Sequence, residues 1–242
     1  MYAIKGSSSD SLAQRYARVQ AEIRAASDAA GRREDAVHLL AVSKTRPASA
    51  IADLAALGQC DFGENYLQEA LDKIEALRDL PLTWHFIGPI QSNKTRDIAE
   101  HFDWVHSVDR EKIARRLSEQ RPAHLPPLKV CIQVNIDDED SKSGVAAADA
   151  AALAAAVHAL PGLALRGLMA IPRADSNDHN AAAFRTLAMT LSSLRNTIPD
   201  LNTQDAAKLD TLSMGMSDDF SAAIAEGATF VRIGTALFGP RD

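Results

Sequence analysis

The sequence predicts an α/β protein that folds as a single (β/α)8 barrel of the TIM type, and three observations support this fold class. Short apolar runs alternate with helix-forming segments, a pattern typical of parallel strands joined by helices. There are about eight such strands with seven intervening helices, the number at which a parallel sheet closes naturally. The length of 242 residues is also common for one barrel. An open, doubly wound sheet is the alternative, although no G-x-G-x-x-G motif follows the first strand.

The elements follow one another from an N-terminal helix. Apolar residues spaced four, three and four apart from Leu12 to Ile23 predict an amphipathic helix over residues 10–30, which takes the place of an eighth outer helix. The strands are predicted at "VHLLAVS", "CDFGE", "TWHFIG", "WVHSV", "LKVCIQVN", "ALRGLMAI", "LDTLSM" and "TFVRIG". Helices lie between them, the longest over residues 177–197. We expect residues 1–242 to form one domain, with residues 1–9 disordered or loosely attached.

Composition and charge exclude several classes of function. A net charge of −6 argues against a general nucleic-acid binder, because the phosphate backbone favours clustered Lys and Arg. Cys60 and Cys131 have neither C-x-x-C spacing nor a secreted disulfide pattern, which indicates a reducing, cytoplasmic compartment. No run approaches the roughly 20 apolar residues of a membrane span. The histidines lack metal-ligand spacing, so no metal site is expected.

The first strand ends on a lysine, in the stretch "LLAVSKTRP" of residues 39–47. Barrel enzymes carry their chemistry at the C-terminal ends of the strands, and Lys44 lies at such an end. One interpretation is a lysine whose ammonium group reaches the solvent at the barrel rim. The other is a Schiff-base amine, because loss of hydration among apolar residues lowers a lysine pKa and frees the neutral amine to attack an aldehyde. The position of Lys44 alone does not decide between them.

The end of the sequence favours the second interpretation. "RIGTALFG" places Gly234 and Thr235 where a short helix begins, and the free N–H groups at a helix start bind phosphate. Ser213 in "LSMGMSDDF" follows the preceding strand, and the loops after the last two strands form the usual phosphate site of a barrel. Together with Lys44 these residues indicate an aldehyde that carries a phosphate, and pyridoxal 5′-phosphate (PLP) fits that description. Arg232 near the end of the last strand fits it too if its side chain faces inward and hydrogen-bonds the pyridine nitrogen; a salt bridge on the outer face is the alternative.

Seven blocks of sequence resemble those of the pyridoxal phosphate homeostasis proteins, which are related to the barrel domain of alanine racemase. The blocks are "AVSKTRP", "FGENYLQEA", "WHFIGPIQSNK", "SKSG", "RGLMAIP", "LSMGMSDDF" and "VRIGTALFG", and they span residues 41–239. The resemblance implies a fold-type III barrel in which Lys44 forms the Schiff base. It also implies a set of further cofactor contacts: the phosphate with Ser213 and the backbone of Gly234 and Thr235, the pyridine nitrogen with Arg232, and the ring with Asn65 and Met169.

Three functions remain open on this basis. We favour a PLP-binding protein of intracellular PLP homeostasis that holds PLP on Lys44 without turnover, with PLP-dependent apoenzymes as its partners. An amino-acid racemase or lyase is the second, but racemases of this fold type resemble this chain only in the barrel, and their second acid/base comes from a further domain and a partner subunit. The third is a cofactor-free Schiff-base aldolase acting on a phosphosugar. We expect a monomer.

Four other residues have simpler explanations. We interpret His85 in "TWHFIG" as a hydrogen-bonded histidine of the barrel interior or rim rather than a catalytic group. Lys142 lies in the charged loop "NIDDEDSKSG", which is expected to be solvated, although its amine could reach a phosphorylated ligand as a secondary site. The acidic pair at residues 218 and 219 suits the positive end of a helix and needs no functional role.

Overall fold

The structure is a computed structural model, and it describes residues 10–137, 143–173, 177–198 and 209–240. The expectation of disorder for residues 1–9 and the secondary role considered for Lys142 both fall outside these ranges. Within the described ranges no helix has the length and apolar character needed to cross a membrane. The same residues contain no group of three or more His, Cys, Asp or Glu side chains placed to hold a metal ion.

Eight parallel strands form a closed ring, which confirms the barrel and rules out the open sheet. The described residues contain nine strands, of which all but β6 form the ring: β1 (His38–Val42), β2 (Asp61–Glu64), β3 (Thr83–Phe86), β4 (Trp104–Val108), β5 (Leu128–Asn135), β6 (Val145–Ala146), β7 (Leu163–Met169), β8 (Thr211–Ser213) and β9 (Phe230–Ile233). Neighbours pair in the order β4-β3-β2-β1-β9-β8-β7-β5, and β4 pairs with β5 to close the ring. The two-residue β6 pairs with β5 outside the ring, and it is too short to leave a periodic signal in the sequence.

Helices surround the ring. They are α1 (Leu12–Ala29), α2 (Ala48–Ala56), α3 (Leu67–Ala76), α4 (Thr95–His101), α5 (Glu111–Gln120), α6 (Ala150–His158), α7 (Asn177–Thr197), α8 (Phe220–Ala225) and α9 (Thr235–Phe238). A capping box between Ser11 and Gln14 begins α1, and Val19 and Ile23 bury its apolar face. The helix contacts α2, α8 and α9, so it does occupy the place of the eighth outer helix.

Apolar side chains form two separate hydrophobic cores. The larger core lies between the strands and the helices. The smaller one fills the barrel itself, and its buried members are Leu40, Trp104, Cys131, Met169 and Phe230. Every second residue of a strand faces the interior of the barrel, and some of these inward-facing residues are polar. Those polar side chains lie toward the C-terminal ends of the strands and lead to the candidate site.

Candidate functional site

The residues predicted to bind a ligand lie on one arc of the barrel mouth. They come from the ends of β7, β8, β9, β1 and β2, which are consecutive strands of the ring. The members in ring order are Met169, Ser213, Arg232 with Gly234 and Thr235, Lys44, and Asn65. Lys44 and Gly234 lie 190 residues apart in the sequence, but β1 and β9 pair directly and bring them to neighbouring strand ends. The fold brings the seven predicted residues to one side of one opening.

Lys44 is half-buried two residues beyond β1, and its neighbours on both sides are fixed to α3. The Nζ of Lys73 donates a hydrogen bond of 2.8 Å to the carbonyl of Ser43. The amide of Thr45 donates one of 2.5 Å to Glu69. Thr45 has a φ of 64°, a left-handed conformation that is uncommon for a β-branched residue and tends to occur at functional sites. The backbone around the candidate Schiff-base lysine is therefore held in one unusual conformation.

A buried ionic cluster provides this attachment. Lys73 Nζ lies 2.7 Å from Glu64 Oε1 and 2.5 Å from Glu69 Oε1. The hydroxyl of Ser43 donates to the same Glu64 oxygen at 2.6 Å. Burial raises the pKa of the Glu64 carboxyl, and hydrogen bonds from Lys73 and Ser43 partly offset that increase. The cluster lies on the outer face of the barrel, behind the strand ends that carry Lys44 and Asn65.

Asn65 follows β2 directly and has a buried side-chain oxygen. Its Oδ1 is buried and makes no hydrogen bond within the part of the chain that the structure describes. A buried polar atom of this kind is costly unless a ligand or water satisfies it. Gly88, at the next strand end, packs closely against the backbone of Asn65. A Cβ there would lie 2.3 Å from the carbonyl oxygen of Asn65, so only glycine allows this approach. The hydroxyl of Ser107 in turn donates to the Gly88 carbonyl at 2.6 Å.

Arg232 is buried in the barrel and anchored by three hydrogen bonds. Its Nη1 donates to the carbonyl of Ser213 at 2.6 Å and to the Ser213 hydroxyl at 2.9 Å, and its Nη2 donates to the carbonyl of Ala170 at 2.9 Å. Burial lowers the pKa of this guanidinium to about 10, against an opposing effect of Asp219. The side chain therefore stays charged at neutral pH and keeps further N–H donors, since a guanidinium has five.

Asp219 is a further candidate for the site, although its position in the sequence predicts only a helix end. It is buried, and its carboxylate accepts hydrogen bonds from the amide of Met216 at 2.6 Å and from Asn180 at 2.9 Å. Burial raises the pKa of this carboxyl, while those hydrogen bonds and the charge of Arg232 lower it. Asp219 is thus a buried carboxyl group that interacts electrostatically with Arg232. The sequence signal available for it was an acidic pair at a helix start, which is also common without any such role.

The remaining predicted residues occupy different parts of the site. Gly234 is the N-cap of α9 and Thr235 its exposed first residue. The N–H groups of Leu237 and Phe238 both donate to the Gly234 carbonyl, which leaves those of Thr235 and Ala236 without an acceptor within the helix. Met169 is fully buried among the apolar side chains of the barrel interior. The hydroxyl of Ser213 is also buried, and it is hydrogen-bonded to Arg232 and to Nδ1 of His106. The structure thus gives Ser213 a place beside Arg232, while its predicted contact with a phosphate stays a prediction.

The interior also contains two histidines. His85, interpreted as an interior histidine, is fully buried and hydrogen-bonded as expected. His106 contacts both His85 and Ser213, and the sequence alone predicts no role for it. Its signal in "WVHSV" is a polar residue in the middle of an apolar strand, which indicates an inward-facing side chain that needs a partner.

Comparison with known proteins identifies the family and supports the fold. A family model described as the N-terminal domain of alanine racemase matches residues 15–242. The chain belongs to this family. It is 63% identical over 231 residues to the pyridoxal phosphate homeostasis protein of Pseudomonas aeruginosa, with 96% of each protein covered. It is 53% identical over 235 residues to the protein of that name from Escherichia coli, covering 96% of this chain and 97% of the relative. The resemblance seen in the sequence blocks is confirmed.

Solved structures show the same barrel. PipY from Synechococcus elongatus is 38% identical, and the match covers 95% of this chain and 100% of that chain. The TM-score is 0.83 for PipY without PLP and 0.80 for PipY with PLP bound. Alanine racemase from Corynebacterium glutamicum, at 19% identity and a TM-score of 0.64, shares the fold, and this chain covers 61% of that racemase.

Proposed function

We propose that this protein binds PLP in intracellular PLP homeostasis, holding it as a Schiff base on Lys44 without catalytic turnover. The observation that carries the proposal is the arc of the barrel mouth, where Lys44 and the buried, charged Arg232 come from paired strands. The relatives named pyridoxal phosphate homeostasis protein and the PLP-bound PipY support the choice of ligand.

The described residues fit each part of this cofactor. Bound PLP supplies an aldehyde, a pyridine ring and a phosphate. Lys44 offers an amine for the aldehyde, Arg232 offers N–H donors for the ring nitrogen, and the start of α9 at Gly234 offers N–H groups for the phosphate. The buried Oδ1 of Asn65, which has no partner in the described part of the chain, is satisfied by a polar group of the ligand, and Met169 supplies an apolar contact.

The electrostatics of the site support binding without turnover. Arg232 remains a cation at neutral pH, with a pKa of about 10, and it has only donors. It therefore favours a ring nitrogen that accepts a hydrogen bond and carries no proton of its own. An unprotonated ring is a weak electron sink, which limits chemistry at the α-carbon of an amino acid. In such a site the hydrogen bond between Arg232 and the ring nitrogen holds the cofactor in place.

Absorption spectroscopy of the purified protein tests the proposal. We expect a visible band with PLP, fixed by borohydride into an adduct that maps to Lys44. The band disappears in Lys44→Ala and persists in the control Lys112→Ala, whose lysine is exposed on α5. An adduct that maps to another lysine refutes the assignment of Lys44. Incubation with L- or D-amino acids leaves their enantiomeric composition unchanged.

Two alternative functions predict different results in the same assay. Turnover of an amino acid that is lost in Lys44→Ala favours a racemase or lyase. A colourless protein that ignores PLP, and that borohydride traps only with a sugar phosphate, favours the aldolase. For the partners, we propose that loaded protein transfers PLP to PLP-dependent apoenzymes in the cytoplasm. Recovery of activity in an apoenzyme mixed with the loaded protein measures that transfer, and light scattering tests the expected monomer.

A further inference from the structure

A continuous chain of hydrogen bonds runs through the barrel from the base of β2 to Arg232. Asp61 Oδ1 lies 2.9 Å from Nε2 of His85. His85 Nδ1 lies 2.9 Å from Nε2 of His106, whose Nδ1 lies 2.7 Å from the hydroxyl of Ser213. Arg232 Nη1 lies 2.9 Å from the same hydroxyl oxygen. The chain thus joins side chains of five strands and connects a cation with a carboxylate.

The chemistry of the two ends fixes the direction of every bond between them. A guanidinium only donates, so the Ser213 oxygen accepts from Arg232. A carboxylate at Asp61 only accepts, which leaves His106 Nδ1 without a proton, so the Ser213 O–H donates to it. His106 then carries its proton on Nε2 and donates to His85 Nδ1. His85 carries its proton on Nε2 as well and donates to the Asp61 carboxylate. The opposite direction requires an additional proton on the pair formed by Asp61 and His85.

The surroundings keep the two imidazoles neutral, as this direction requires. Both rings are fully buried, and His85 stacks on Trp104 with ring centroids 5.6 Å apart. Desolvation lowers the pKa of His85 against the opposing effects of Asp61 and Asp103. Desolvation also lowers the pKa of His106, and the charge of Arg232 acts in the same direction. Neutral imidazoles have one donor and one acceptor each, which is what the chain uses.

We propose that His106 and His85 are positioning residues for Arg232: anchored by Asp61, they point the Ser213 hydroxyl away from the guanidinium, so that its oxygen holds Arg232 in place for the ligand's ring nitrogen. The role rests on the proposed PLP site. If Ser213 turned its O–H toward Arg232, two donors would face each other and the guanidinium would lose one of its three anchors. The ring nitrogen of the ligand would then meet a less ordered side chain.

The tautomers can be measured in the protein without any ligand. Imidazole ¹⁵N NMR at neutral pH is expected to show both His85 and His106 protonated on Nε2. In Asp61→Asn the amide can either donate or accept, so the preference for these tautomers weakens while the fold is kept. A proton on Nδ1 of either histidine in the wild-type protein overturns the proposal.

A double-mutant cycle with PLP tests the positioning role. We expect His106→Leu and Ser213→Ala each to weaken PLP binding about tenfold, the loss of one hydrogen bond to a charged group, and the double variant to be no weaker than Ser213→Ala alone. His106→Asn places an acceptor oxygen near the position of Nδ1 and restores binding to within about threefold of wild type. Circular dichroism and thermal melting verify that each variant is folded.

The outcomes separate this proposal from the PLP site itself. Additive losses in the double variant, or wild-type affinity in both single variants, refute the positioning role while wild-type binding to Lys44 stands. Should His106→Leu fail to fold, His106→Asn and Ser213→Ala still form a cycle, in which Ser213→Ala must bind more weakly than His106→Asn. A wild-type protein that does not bind PLP refutes the proposed function, and the tautomer measurement then still decides whether the chain has the stated direction.

Discussion

Replacing Lys73 with methionine removes the cation at the centre of the buried cluster behind Lys44. The ammonium group makes hydrogen bonds of 2.8, 2.7 and 2.5 Å to Ser43, Glu64 and Glu69, and Lys73 is only 5% exposed. Methionine fills a similar volume, so the main cost is a fully buried Glu64 carboxylate left without its cation. Breaking one side of a buried ion pair costs about 3–5 kcal/mol. We expect Lys73→Met to lose that much of the free energy of unfolding.

The stability loss of Lys73→Met should depend on pH. Burial already raises the pKa of Glu64, and without Lys73 the folded-state pKa rises further. The folded variant then binds a proton that the unfolded chain releases, so its stability decreases as the pH rises above the ordinary glutamate value. The deficit relative to wild type is therefore larger at pH 7 than at pH 5.

Urea denaturation at these two pH values measures the effect. Glu64→Gln combined with Lys73→Met should recover more than half of the loss, because a neutral amide needs no cation and still accepts from Ser43. The exposed Lys112→Met serves as the control, with a change within about 0.5 kcal/mol. A loss below about 1 kcal/mol, or a deficit of equal size at both pH values, would show that the cluster does not stabilise the folded state in this way.

Two further predictions concern the site wall and the thiols. Gly88→Ala forces a Cβ against the carbonyl of Asn65, so we expect a lower melting temperature and weaker PLP binding, measured by calorimetry and fluorescence titration; unchanged values for both would contradict the close approach. Cys60 is exposed, whereas Cys131 is buried and its thiol pKa is raised by desolvation. A thiol reagent should thus label Cys60 in the native protein and reach Cys131 only after unfolding, and rapid native labelling of Cys131 would argue against its place inside the barrel.

The strands and helices of the barrel could be predicted from the sequence because each leaves a local pattern. Each strand is a short apolar run, each helix has its own periodicity, and the position of Lys44 after a strand follows from the order of the chain. The rule that barrels carry ligands at their C-terminal strand ends then placed Lys44 and Arg232 at one mouth. Their pairing across β1 and β9 required closure of the ring, which periodicity does not encode.

The parts that the sequence did not predict depend on which side chains meet in three dimensions. Lys73 has the pattern of a surface lysine, with a glutamate four residues earlier on the same helix, and its burial arises from how α3 packs on the strand ends. His85 and His106 lie 21 residues apart, and their contact depends on strand register and on both side chains facing inward. Asp219 required knowledge of where Arg232 lies.

The pairing of β1 with β9 also affects how the site is made during synthesis. His38 lies opposite Phe230, so the contacts that align the two strands join residues separated by almost the whole chain. A contact of such sequence separation forms late, because the loop between the partners must be ordered first. On the ribosome, a nascent chain that has not yet released β9 has Lys44 but neither the closed ring nor Arg232. The proposed site is therefore complete only after β9 has been synthesised and has paired with β1.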